Sequence, residues 1–283
     1  MNINVSRLGI GIGWRPELAL PIHRRVSLGF VEIVAEDFDP RDSLPEPIEV
    51  LRERGVTVIP HGVSLSLGSA EPPDPGRLAR LAQLAVRLNA PLVSEHLAFV
   101  RGGGVETGHL LPPLRSQESI DIIVENILMA KAALPVPLAL ENVATLLDWP
   151  NPEMDEAMFL SEVLERADVG LLLDVENVYA NCRNLGGDAL VFLRRLPLER
   201  LTYVHVAGGF ERDGHYHDSH THPVPPAVLQ LLEELCAMAD VPGVMLERDG
   251  DFPLGAELNS ELDGIAAAVA RGRNRKARCS HVG

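Results

Sequence analysis

The sequence predicts an α/β protein whose eight parallel strands close into a (β/α)8 TIM barrel. Short apolar runs, often β-branched and flanked by Gly or Pro, alternate with longer helical patterns from one end of the chain to the other. These runs number eight, which suits a closed barrel better than an open sheet. No Gly/Ser-rich linker and no internal repeat divides the chain. Residues 1–270 are therefore read as a single domain, close to the roughly 250 residues usual for such barrels.

The eight runs, in order, are residues 8–12, 30–35, 56–60, 92–94, 138–140, 170–173, 201–206 and 244–246. The first contains Gly9-Ile10-Gly11-Ile12-Gly13, which lacks the spacing and downstream helix of a dinucleotide fingerprint. Close packing at the barrel entrance explains these glycines better. Helical patterns between the runs include residues 75–89, 116–133, 154–167 and 226–239, with Ser116 as a cap-type residue heading the second. Strands alternating with helices specify βαβ units and a parallel sheet. Beyond the barrel, residues 271–283 carry Arg271, Arg273, Arg275, Lys276 and Arg278 without apolar periodicity. That composition predicts a solvated, disordered tail.

Composition narrows the function. The 283 residues are 46% hydrophobic and carry a formal net charge of −15. Mean hydropathy is +0.08, as in ordinary globular proteins. Such an excess of carboxylates repels phosphate backbones, and 4% aromatics leave little for base stacking, so no nucleic-acid partner is expected. No segment offers the roughly 20 apolar residues of a membrane span, and the first residues lack the pattern of a signal peptide. Cys182, Cys236 and Cys279 fit neither a zinc knuckle nor a redox pair and are expected to be free thiols. A cytoplasmic protein is the expectation.

The residues at the ends of six consecutive strands, three to eight, carry the chemistry. Strand three leads to His61, strand four to Glu95 and His96, strand five to Glu141 and Asn142. Strand six leads to Asp174 with Asn177 a turn later, strand seven carries His205, and strand eight leads to Glu247, Arg248 and Asp249. In a (β/α)8 barrel all strand C-termini converge on one mouth. A lone His or Glu at a strand end is more often a satisfied polar residue than a ligand. The joint pattern decides, because several carboxylates desolvated together need cations, and the strand ends offer mainly Arg248 and Arg15. The loop after strand seven adds Asp218 and His220, two apart and so on one side of an extended segment. His215, His217 and His222 in the same loop fit a metal role and a flexible polar loop equally well.

His61, His96, Glu141, Asp174, Asn177, His205, Asp218, His220 and Glu247 make nine candidate ligands. One ion with open positions uses about three or four. Two or three ions are implied, with Glu141 able to bridge. Imidazole and carboxylate without thiolate suit iron, manganese or zinc, and the residues do not choose among them. Glu95 and Asn142 are candidate supports behind the ligands, and Asp249 is a candidate base. Competing readings are a trinuclear zinc or manganese phosphoesterase or other metallohydrolase, a sugar-isomerase-like barrel with fewer ligands, and a non-catalytic metal-binding protein.

The ordered segments His61-Gly62-Val63-Ser64, Ser94-Glu95-His96-Leu97, Glu141-Asn142-Val143, Asp174-Val175-Glu176-Asn177, His205-Val206-Ala207-Gly208, Asp218-Ser219-His220 and Glu247-Arg248-Asp249 resemble those of the multinuclear non-haem iron-dependent oxidases. That family builds methanobactin and thiaglutamate-type peptide natural products. The resemblance runs over roughly residues 8 to 255. It implies a xylose-isomerase-like TIM barrel holding two or three iron ions on the nine residues above. It also implies an O2-dependent oxidation of a side chain, most often Cys, in a ribosomally made precursor peptide, with a separately encoded partner protein helping to present the peptide. Glu176 departs from the pattern, in which Asn often stands there, and adds a carboxylate beside the cluster.

Overall fold

The computed structural model describes residues 7–280. Eight parallel strands close into a barrel in sequence order: β1 (Gly9–Gly13), β2 (Phe30–Val34), β3 (Thr57–Gly62), β4 (Val93–His96), β5 (Leu138–Glu141), β6 (Gly170–Asp174), β7 (Leu201–Val206) and β8 (Gly243–Leu246). The last strand pairs with the first, Gly9 opposite Gly243. Outside lie α1 (Ala19–Arg24), α2 (Glu46–Glu53), α3 (Pro75–Leu88), α4 (Gln117–Ala133), α5 (Glu156–Ala167), α6 (Val175–Leu185), α7 (Ala189–Arg195), α8 (Pro226–Met238) and α9 (Gly255–Ser280). The expected strands and helices are all present. Ser116 caps α4, its hydroxyl accepting from Ser119 N at 3.2 Å. Gly11 justifies the close-packing reading, since a Cβ there would sit 2.5 Å from the Phe30 ring.

The barrel interior is built in layers, because residues two apart on a strand face the same way. Leu8, Phe30, Ile59, Leu92, Ala139, Leu172, Tyr203 and Met245 form one buried cluster, a plug drawn from all eight strand segments and separate from the helix–sheet core. Two residues further along seven of those segments stand Glu32, His61, Ser94, Glu141, Asp174, His205 and Glu247. All but Glu247 are buried. The chemistry therefore lies on an apolar floor.

Two features differ from the sequence expectation. Segments between strands form hairpins, Phe99–Gly102 with Val105–Leu111 and Phe210–Arg212 with His215–His217. The basic segment expected to be a disordered tail is instead the end of α9, helical to Ser280. Arg271 pairs with Glu233 and Arg275 with Glu233 and Glu234, all on α8, and Lys276 pairs with Asp240. Gly272 allows the two helices to close, since a Cβ there would lie 2.4 Å from the Glu233 carbonyl oxygen. The boundary placed at residue 270 thus falls inside a helix, and residues 281–283 lie outside the described residues.

Candidate metal centre

The barrel mouth collects every predicted ligand. Glu141 and Asp174 end β5 and β6, His61 and His205 stand one residue before the ends of β3 and β7, and all four are almost wholly buried. His96 ends β4, and Glu247 comes directly after β8. Asp174 also caps α6, accepting from Asn177 N at 2.7 Å, which brings Asn177 over the same mouth. Asp218 and His220 arrive on the loop after the second hairpin. His220 holds a left-handed backbone, φ 52°, a conformation costing about 1–2 kcal/mol. Its ring is fixed between Asp218, 2.7 Å from Nε2, and Asp249, 2.9 Å from Nδ1.

Four overlapping groups bring potential ligand atoms within 4.8 Å of one another: His61, His96 and Glu141; Glu141, Asp174, His205 and Glu247; Glu176, Asp218 and His220; and His220, Glu247 and Asp249. Glu141 joins the first two. Its Oε2 stands 3.4 Å from both His61 Nε2 and His96 Nε2, and its Oε1 is 3.1 Å from His205 Nδ1. These separations are close to the ~3 Å between two ligands of one ion held at ~2.1 Å. Buried Glu141 Oε2, Asp174 Oδ2, Glu176 Oε2 and Asn177 Oδ1 have no hydrogen-bond partner among the described residues. Several such oxygens converging on one small volume make a place where cations are readily held. The donor set and these orphaned atoms fit metal ions.

Without metal, protons take the place of cations. Burial lowers the His205 pKa, but Glu32 and Glu141 override it and raise it well above its ordinary value. His96 reaches about 9, burial again being outweighed by Glu141 and Glu95. Burial raises the Glu141 carboxyl while His205 and His96 bring it down to about 2. Asp174 goes the other way: burial, Glu141 and Asp218 push it well up. Glu176 rises to about 9, first through burial and then through Asp218 and Asp174.

The predicted supports stand directly behind the candidate ligands. Glu95 accepts from Leu65 N and His96 N, each at 2.9 Å, and so ties two strand ends together. Asn142 exchanges bonds with Asp174 O and N at 3.0 and 2.9 Å, and its carbonyl accepts from Asn177 Nδ2 at 2.9 Å. Asp249 stands at the rim, accepting from Arg15 Nη2 at 2.5 Å. Of the remaining loop histidines, His217 lines the cavity above the cluster, His215 is exposed, and His222 bonds Thr221. The sequence reading missed Glu32. It is buried on β2, accepting from Tyr203 and facing His205. A signal existed: a carboxylate two positions after Phe30, as His61 is two positions after Ile59. Above the cluster a cavity of about 570 Å3 reaches His96, Glu141 and Asn177 and is walled by Leu110, Leu111, Leu146 and Leu147. A second cavity, about 330 Å3, lies on the outer shell among α5, α6 and α7 and touches none of the predicted ligands.

Fold and site define a (β/α)8 barrel whose mouth carries several contiguous His and carboxylate groups able to hold metal ions. Residues 9–270 match the RiPP precursor modification enzymes MbnB/TglH/ChrH, and the chain belongs to that family. A UPF0276 protein of Streptomyces avermitilis is 52% identical over 278 residues, covering 96% of this chain, which spans 57% of that relative's length. A UPF0276 protein of Bordetella bronchiseptica is 39% identical over 93% of each chain. Among solved structures, D-psicose 3-epimerase from Clostridium cellulolyticum H10 aligns over 95% of this chain and 99% of its own with TM-score 0.57 and 15% identity. A xylose isomerase domain protein from Planctomyces limnophilus aligns over 95% and 98% with TM-score 0.57 and 13% identity. These likenesses establish a xylose-isomerase-like barrel.

Proposed function

We propose that the protein is a multinuclear non-haem iron oxidase that uses O2 to modify a residue, most often Cys, of a ribosomally synthesised precursor peptide. The observation that carries this reading is the shared Glu141, which joins two ligand groups in a buried layer with unpartnered oxygens. His61, His96, Glu141, Asp174, Asn177, His205, Asp218, His220 and Glu247 would hold two or three ions. Bound iron would supply Lewis acidity and electrons for O2 reduction. Membership of a peptide-modifying family supports the peptide substrate.

The chain's own residues account for the rest. The leucine-walled cavity accommodates a peptide side chain and shields it from water. Asp249 is the candidate base: at the rim, with a side chain 39% exposed, it is placed to receive a thiol proton and pass it to solvent. Arg15 and His220 hold its two oxygens in place. Among the described residues no helix is long and apolar enough to cross a membrane. A separately encoded partner would present the peptide, and the net charge of −15 favours basic segments on partner or precursor.

The test is to load the protein anaerobically with Fe2+ and add O2 and the precursor peptide encoded beside it, with and without the neighbouring candidate partner. Peptide mass, O2 consumption and iron oxidation state are measured together. An iron-dependent, O2-dependent mass change is expected. Activity with zinc alone, or turnover of free cysteine as fast as peptide, would overturn the reading. Equal turnover without partner would remove only the partner.

A further inference from the structure

Beneath the cluster, five polar groups form one continuous chain. His61 Nδ1 lies 2.8 Å from Ser94 Oγ, and Ser94 Oγ lies 2.6 Å from Tyr203 Oη. Tyr203 donates to Glu32 Oε2 at 2.5 Å, and the same oxygen lies 3.0 Å from His205 Nε2. None of the five is more than 4% exposed. The chain crosses the barrel between β3 and β7 and ends on two histidines whose other ring nitrogens face Glu141.

We propose that Glu32, acting directly on His205 and through Tyr203 and Ser94 on His61, is the positioning residue that fixes both histidines in the tautomers that aim bare nitrogens at the metal centre. The inference rests on the metal-centre part of the functional reading and is independent of iron and of O2.

Counting hydrogens sets the direction of every bond. An ionised carboxylate has no hydrogen to give, so Tyr203 O–H and His205 Nε2–H both donate to Glu32 Oε2. The tyrosine has then used its one hydrogen, and its oxygen accepts from Ser94 O–H. The serine has used its own, and its oxygen accepts from His61 Nδ1–H. With a metal in place of the proton that His205 otherwise shares with Glu141, each ring is neutral, and what remains is a lone pair on His61 Nε2 and one on His205 Nδ1. These are the atoms 3.4 Å from Glu141 Oε2 and 3.1 Å from Glu141 Oε1. A carboxylate behind a ligating histidine fixes its tautomer and raises its basicity. Here one buried carboxylate does so for histidines in two ligand groups, His61 with His96 and His205 with Asp174 and Glu247. The wiring also explains a tyrosine in an otherwise apolar plug: Tyr203 packs with Phe30, ring centroids 5.8 Å apart, while its hydroxyl reaches up into the polar layer.

The test uses the full chain, 15N-labelled at histidine and loaded with Zn2+, with long-range proton–nitrogen correlations to read the tautomers. His205 is expected to carry hydrogen on Nε2 and metal on Nδ1, and His61 hydrogen on Nδ1 and metal on Nε2. The reverse at either ring overturns the proposal. Tyr203→Phe and Glu32→Leu are then titrated with Co2+ by its visible bands, with unfolding of the metal-free protein as the control for folding. Each should weaken Co2+ binding by roughly 10- to 100-fold. Tyr203→Phe should free only the His61 Nδ1–H to exchange, whereas Glu32→Leu should free the His205 Nε2–H, and Glu32→Gln should restore binding in part. Should Glu32→Leu fail to fold, Tyr203→Phe, which keeps ring and volume, decides alone. Unchanged Co2+ affinity, bands and tautomers in a folded Tyr203→Phe would overturn the positioning role while leaving the metal centre intact. A wild-type protein that binds neither Zn2+ nor Co2+ would overturn both.

Discussion

Two adjacent layers of the barrel interior are offset by two residues along each strand and do opposite things. The lower layer, including Phe30, Ile59, Leu172 and Met245, is almost purely apolar, and each large side chain buried there contributes about 1.5–3 kcal/mol. The upper layer, with Glu32, His61, Glu141, Asp174 and His205, is as thoroughly buried but polar and charged. Desolvating those groups costs several kcal/mol per ion before any cation offsets it. The same strands therefore carry stability at one level and a site at the next. The plug matters to the site as well, because it denies water access to the ligands from below.

The sharpest way to break this comparison is Glu141→Gln. Glu141 is shared by two ligand groups, so its loss should remove at least one metal equivalent per chain, whereas His222→Ala, in a loop outside the four groups, should leave the metal content intact. Elemental analysis after loading with excess Fe2+ and gel filtration measures both. Wild type should hold more than one iron per chain. Unchanged metal in Glu141→Gln would sink the bridging role.

Phe30→Ala probes the other layer. Removing a fully buried ring should cost about 3–5 kcal/mol in chemical unfolding. The fraction that remains folded should keep its metal stoichiometry, because no ligand is touched. Loss of metal alongside an intact fold would show that the plug, rather than the strand ends, sets the site.

Asp174→Asn tests the cost of the upper layer itself. Burial, with Glu141 and Asp218 nearby, raises the Asp174 carboxyl well above the ordinary carboxylate range. A neutral amide can still accept from Asn177 N and cap α6. In metal-free protein the substitution should therefore stabilise, by about 1–3 kcal/mol near neutral pH. In metal-loaded protein it should destabilise by removing a ligand. Thermal midpoints with and without Zn2+ give the two signs, and the same sign in both states would contradict a metal role.

How far these layers could be read from sequence depends on residue type. The β-branched runs and the His or carboxylate at the ends of strands three to eight were legible because both signals are local. Glu32 carried a weaker signal, its spacing from Phe30, which is overridden because a single carboxylate inside Phe30-Val31-Glu32-Ile33-Val34 looks solvent-facing until the barrel closes around it. The second hairpin carried a readable turn, Asp213-Gly214, both with positive φ and flanked by the pair Arg212 and His215, but its histidines His215 and His217 fit a metal role and a flexible loop equally well and so masked the strands. The end of α9 was illegible for another reason. Its basic residues pair with Glu233, Glu234 and Asp240, 36 to 42 residues away, and local periodicity carries no trace of them.

The smallest expected effect comes from a half-buried carboxylate outside the barrel, which serves as the control. Glu156 begins α5 beside the outer cavity, with Asn181 Nδ2 3.5 Å from its Oε2. Burial raises its pKa to about 7, against 4.5 for the free side chain, with Arg115 only partly opposing. The folded protein thus holds this proton more tightly than the unfolded chain does. Its contribution to stability is fully present below pH 4.5 and is lost as pH rises through 7. Glu156→Gln, which keeps the shape but cannot ionise, should therefore gain on wild type as pH rises from 5 to 8. The gain should be roughly 1–2 kcal/mol, allowing for the partial exposure of the group. The pH dependence of chemical unfolding for the two proteins measures it. Glu156 belongs to none of the four groups at the mouth, so this difference should be the same with and without bound Zn2+, unlike the effect of Asp174→Asn. A Glu156→Gln difference that vanished on adding Zn2+ would mean that the outer cavity and the barrel mouth are coupled, and that the cost of buried charge is not confined to the polar layer.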